Sequence, residues 1–269
     1  MLAACFAPEI NHCPTLDCPK EFVCDGMGGC ALPEQLSQCS GQVDGAECSY
    51  TTITKAHVDG ACELGICRSS QIPACLLDLF TDARVDSGMW ELWLSENEPV
   101  IVAEESGVLA ISLAPNVGRI YNGVQSRGRY DMLAGTARVE VEPASQDIGV
   151  ETDFSIDLDA TSGFSMSAYA NRLHLVVHSS GGVSNSIAID YDTVNHRFWQ
   201  FRHDPVGGTM ELETSPDGMT WTSRRSAALS RAPTGVTVSL LAGTYIDLGV
   251  PDPGVAHFDN VKLTSASCP

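Results

Sequence analysis

The sequence predicts an all-β protein: a two-sheet antiparallel sandwich of jelly-roll type behind a small disulfide-rich N-terminal module. Two observations carry this. Beyond Cys75, short runs rich in Val, Ile, Leu, Thr, Phe and Tyr recur between Gly, Asn, Asp and Ser, with no amphipathic helix among them. Up to that point, nine of the eleven cysteines crowd between Cys13 and Cys75. The expected organisation is a leader-like box at 1–5, a cysteine module at 6–75 and the sandwich at 76–269.

The strand assignments rest on period-two alternation, the mark of half-buried antiparallel strands. Leu109, Ile111 and Leu113 share one face, as do Ala137, Val139 and Val141. Further runs are Val100–Ala103, Val150–Leu158, Gly163–Tyr169, Leu173–His178 and Ile187–Tyr191. Arg197–Arg202, Thr209–Thr214, Val236–Leu241 and Ala256–Leu263 complete the set. Ser215-Pro-Asp-Gly218 reads as a tight turn, because Pro presets φ, Asp caps the turn and Gly accepts positive φ. Trp199 is expected in the core, since tryptophan is highly buried on average.

The module has Gly and Pro throughout and little apolar periodicity, so cross-links must supply much of its stability. From Cys13 to Cys75 the cysteine spacings are five, six, six, nine, nine, fourteen, five and eight residues. Zinc knuckles need C-x2-C pairs, which are absent, so the spacing points to disulfides in an oxidising compartment. Two groups are expected to pair internally, Cys13, Cys18, Cys24, Cys30 and Cys39, Cys48, Cys62, Cys67. Cys75 and Cys268 bracket the sandwich and are expected to bond to each other, because domain termini often lie close. Eleven is odd. Leu2-Ala3-Ala4-Cys5 matches a bacterial lipobox, which assigns Cys5 to lipidation and leaves an even ten.

Two resemblances follow. The phrases VCDGMGGC, DGAEC and GACELGIC resemble short cysteine repeats in secreted proteins of myxobacteria and their relatives, which implies export. Four places in 76–267 resemble the concanavalin A-like lectin/glucanase sandwiches, including their laminin-G-like modules. These are Leu77-Asp78-Leu79-Phe80 with Trp90 and Trp93; Asn171–Leu175 before Gly181-Gly182; Phe198-Trp199-Gln200-Phe201-Arg202 with the Ser215–Trp221 segment; and Ala256-His257-Phe258-Asp259-Asn260-Val261. The resemblance implies the jelly-roll fold. It also makes Asp259 the candidate ligand of a structural calcium, the one cofactor expected; calcium takes six to eight oxygens.

Lys+Arg number 15 against 34 Asp+Glu, a formal charge of −19. Such a surface repels nucleic acid and anionic membrane, so neither is an expected partner. The lipid on Cys5 is the only membrane link expected.

Glucanases of the resembled superfamily carry an E-x-D-x-x-E strand whose alternate carboxylates face one cleft, one as nucleophile and one as general acid. The nearest match is Glu151-Thr-Asp153-Phe-Ser-Ile156-Asp157, where Ile156 stands in the place of the acid. Glu140/Glu142 and Glu211/Glu213 are further same-face pairs with no third partner. No G-x-S-x-G elbow, H-E-x-x-H motif or phosphate loop occurs. The expectation is therefore a non-enzyme: an exported cell-surface or extracellular protein that binds glycan or a surface protein through its sandwich. A structural subunit of an extracellular layer, capable of self-assembly, and a glycan-active hydrolase are the alternatives. Two carboxyls ~5–9 Å apart in a cleft would favour the hydrolase.

Overall fold

The structure is a computed structural model. It describes residues 10–12, 17–25, 30–51, 55, 57–69, 75–94, 101–115, 118–159, 161–179, 183–244 and 250–265. The chain divides into two compact units, Met1–Ile72 and Pro73–Pro269.

The first unit contains β1 (Ile10–His12), β2 (Asp17–Pro19), β3 (Val23–Cys24), β4 (Cys30–Ala31), α1 (Pro33–Cys39), β5 (Glu47–Thr51), β6 (His57–Glu63) and β7 (Ile66–Ser69). β5, β6 and β7 form an antiparallel meander. Two disulfides clip it together: Cys39–Cys62 ties α1 to β6, and Cys48–Cys67 ties β5 to β7. Both join cysteines of the second group. α1 has no counterpart in the sequence reading, since seven residues are too few to display a 3.6-residue period. Pro33 sits at its first turn, where the missing N–H costs no hydrogen bond, and Gln35 Oε1 accepts the Leu32 N–H at 2.9 Å. Cys5 and Cys13 lie outside the described residues.

The second unit is a sandwich. Its strands are β8 (Cys75–Asp78), β9 (Trp90–Leu94), β10 (Ile101–Glu105), β11 (Val108–Ser112), β12 (Ile120–Ser126), β13 (Thr136–Glu142), β14 (Val150–Asp159) and β15 (Ser162–Tyr169). Then come β16 (Arg172–Ser179), β17 (Val183–Asp190), β18 (Phe198–Asp204), β19 (Thr209–Ser215), β20 (Thr222–Ala228), β21 (Thr237–Thr244) and β22 (Val255–Thr264). One sheet runs β10-β11-β22-β13-β18-β19-β20, with β8 also pairing β22. The other runs β17-β16-β15-β14-β21-β12-β9. All named pairings in both sheets are antiparallel.

Between the sheets lies one core. Phe154 from one sheet meets Phe201 from the other at 4.9 Å between ring centroids. Trp90 and Trp199 are buried there, and each indole N–H is satisfied, by Asp78 Oδ2 and by the His196 carbonyl, both at 2.8 Å. Asp78 also accepts the Phe80 N–H at 2.9 Å, so the Asp78, Phe80 and Trp90 pattern is a structural clasp. The Ser215 hydroxyl and the Asp217 carboxylate cap the turn before β20, and Gly218 takes φ +69° there. Cys75 is disulfide-bonded and lies opposite Thr264 of β22; Cys268 lies outside the described residues.

Candidate functional site

β14 alternates without interruption: its even-numbered residues from Val150 to Leu158 are buried, while the odd-numbered ones face the open side of their sheet. The ladders to β15 and β21 keep register through Asp157, and the only shift in the β14–β15 ladder follows that residue. Glu151, Asp153, Ser155 and Asp157 therefore line one face. Ile156 is fully buried in the core. In a regular strand a side chain five residues after Glu151 points the other way, so position 156 could not have supplied an acid to this face.

Glu151 and Asp153 are neighbours along that face, with Cα atoms roughly 6.6 Å apart by strand rise. The Tyr121 hydroxyl donates to Glu151 Oε2. It does so across β21, because Tyr121 and Glu151 are both register partners of Gly243. A Cβ at Gly243 would lie 2.7 Å from the Tyr121 ring and 2.1 Å from the Ile120 carbonyl oxygen. Burial, then the Glu151 charge, hold the Tyr121 phenol well above its usual range, so it remains a donor.

Ser167 Oγ donates to Asp153 Oδ2 at 2.6 Å. Burial first, then the charge on Glu151, push the Asp153 carboxyl up to about 7, against the opposing pull of hydrogen bonds from Ser167 and Ser155. The face thus holds two carboxyls in different settings: Glu151 braced by a phenol, and Asp153 able to carry a proton near neutral pH. Asp157, further along, is raised to about 6 by burial and by Asp159. His178 joins Ser165 and Ser184 beside it, at 3.2 and 3.0 Å.

The same face extends to the sheet edge. Trp93, Gly123, Leu241 and Asp153 lie in one cross-strand row. Trp93 is 44% exposed and stands three strand spacings, about 14 Å, from Asp153. Small side chains at Ser155, Ser165, Ser167 and Ser239 floor the sheet between its bulkier residues.

An endo-β-1,3(4)-glucanase of family GH16, crystallised with 1,3-β-D-cellobiosyl-cellobiose, superposes with TM-score 0.53 at 13% identity over 72% of this chain and 96% of that one. The Bacillus licheniformis β-glucanase gives TM-score 0.50 at 18% identity, over 72% of this chain and all of the other. A structure from work on endo-acting O-glycanases of the human gut microbiota gives TM-score 0.56 at 13% identity, over 70% and 98%. The sandwich has the concanavalin A-like jelly-roll fold of these glucanases. No protein-family profile and no curated protein sequence matches the chain.

The expectation of a non-enzyme does not hold. Solved structures that share this fold include β-glucanases, and Ile156, on which the exclusion rested, belongs to the core rather than the open face.

The other candidates fall elsewhere. Glu211 and Glu213 lie on β19 of the opposite sheet. Glu213 is buried between Gln200 and Arg202, and Glu211 accepts from Thr209, Ser223 and Ser226, so both are absorbed in structural networks. Glu140, Glu142 and Asp259 are on β13 and β22. Asp259 takes hydrogen bonds from the Asn260 N–H at 2.6 Å and side chain at 3.0 Å. Among the described residues no three metal-ligating side chains gather around it. Tyr121, Gly243 and Ser167, which shape the carboxyl pair, carry no sequence motif.

Proposed function

We propose that the chain acts on glycan through the open face of β14, as a glycoside hydrolase whose carboxyl pair is Glu151 and Asp153. The observation that supports this best is the unlike setting of two carboxyls that neighbour each other on one face of β14: Glu151 is held by the Tyr121 hydroxyl, while Asp153 is bonded to Ser167 and raised to about 7 by burial. Asp153 gives its proton to the leaving glycosidic oxygen as the bond to the anomeric carbon breaks. Glu151, oriented by Tyr121, forms the bond to that carbon. Water then cleaves the glycosyl–Glu151 bond while Asp153 takes up its proton. An acid with a pKa near 7 is matched to this work at mildly acidic to neutral pH. Glycan recognition by the face around Trp93 is common to this reading and to pure binding; turnover separates them. The acidic surface, the disulfides and the lipobox at Cys5 support a place for the protein at the outer cell surface.

The test is incubation of the full chain with laminarin, mixed-linkage β-glucan and mucin O-glycans, followed by chromatography of the products. The reading expects shorter glycans from at least one substrate, lost in Asp153→Asn. Saturable binding with no cleavage would leave recognition and remove hydrolysis.

A further inference from the structure

We propose that the sheet opposite the Glu151 face carries a second ligand site, one that takes a hydroxylated amine of about the size of one sugar ring. It is a cavity of about 550 Å³ beside β13 and β22, walled by the loops after β13 and after β17. That volume falls in the range of small-molecule sites.

Its chemistry has three parts. First, charge: Glu140, Glu142 and Asp259 stand against Arg197 and His257. Arg197 Nε donates to Glu140 Oε1 at 2.6 Å, and His257 Nδ1 lies 3.1 Å from Glu142 Oε2. Three carboxylates face one permanent cation, so the cavity favours a cation and rejects phosphate, sulfate and uronate. Second, polar capacity: both amide atoms of Gln146 and the Tyr191 hydroxyl have no hydrogen-bond partner among the described residues, although both residues line the cavity. Buried polar atoms without partners are costly, and ligand hydroxyls reached by a small side-chain rotation would satisfy them. Third, Val108 and Pro143 supply an apolar wall for the C–H face of a ring.

The backbone shapes the wall as well. The β13–β22 ladder shifts register between Arg138 and Glu140, and Asn260 opposite adopts φ +54°. A bulge of this kind re-aims side chains. Here Asn260 Nδ2 bridges Glu140 Oε2 at 2.8 Å and Asp259 Oδ2 at 3.0 Å, which sets two carboxylates side by side in the wall.

The test uses the full chain and three probes sharing one ring but differing in charge: glucosamine, glucose and glucuronate. Binding is followed by NMR shifts of the Gln146 side-chain amide. Glucosamine should saturate these shifts at least ~10-fold more tightly than glucose, with glucuronate weakest, since tenfold is about 1.4 kcal/mol, the scale of one partly screened charge contact. Glu142→Gln, at a largely exposed side chain, should narrow the glucosamine preference, and Asp153→Asn on the opposite sheet should leave it unchanged. Equal affinities for the three, no saturable shift at Gln146, or loss of the preference in Asp153→Asn would each overturn the proposal.

Discussion

Tyr121 reaches Glu151 across a whole strand because Gly243, between them, carries no side chain. Strands lie ~4.8 Å apart, so the phenol spans nearly 10 Å of sheet to brace the carboxylate. Gly243→Ala should therefore separate the pair and destabilise the sandwich by ~1–3 kcal/mol through overpacking. Tyr121→Phe keeps the ring and removes only the donor. It should leave the melting temperature within a few degrees of the parent and lower turnover at least ~10-fold. Equal damage to stability in both variants would mean that the hydroxyl is structural.

Asp153 sets a pH dependence of stability with a definite sign. The folded state holds this proton up to about pH 7, whereas the unfolded chain releases it near 3.8. Between those values the folded state binds more protons, so stability falls as pH rises. Asp153→Asn should thus stabilise the protein at pH 8 by ~1–3 kcal/mol relative to its effect at pH 4, read by chemical denaturation at each pH. A variant stabilised equally at both would contradict the raised pKa. Ser167→Ala removes a hydrogen bond that holds the pKa down, so the alkaline limb of activity should move upward.

Trp93 offers its ring at the edge of the same face. Trp93→Ala should weaken laminarin binding by ~3–10-fold, the loss expected for one aromatic platform, with the melting temperature unchanged. Affinity electrophoresis in laminarin gels would register this as faster migration. Unchanged migration would place the glycan elsewhere.

The cross-links make separate predictions. Removing Cys39–Cys62 opens a loop of 23 residues, for which chain entropy suggests ~3 kcal/mol. The Cys39→Ala/Cys62→Ala variant should therefore unfold the first unit at lower denaturant. Cys268→Ser should release one titratable thiol at Cys75; no new thiol would assign the Cys75 bond to another cysteine.

Much of the fold was legible because strand alternation is local. β13 and β14 read correctly to within a residue or two from period two alone. β12 did not, since Asn122 and Gly123 interrupt its apolar run, and β20 did not, since Thr-Ser-Arg-Arg-Ser carries no apolar face. Glu151 and Asp153 were visible as a same-face pair. Their partners were not: Tyr121 lies 30 residues upstream of Glu151, and Gly243 is joined to both only by sheet register. Ile156, read from the sequence as standing in the place of the acid, lies on an unbroken strand that sends it into the core.

The most direct test of the central claim is reducing-end release from laminarin at pH 5–6, where Asp153 is protonated, by the parent chain and Glu151→Gln. The account predicts turnover by the parent and a ~10²–10⁴-fold loss in the variant, whose fold should be intact. Absence of turnover by the parent, or equal turnover by both, would contradict a hydrolytic centre at Glu151 and Asp153.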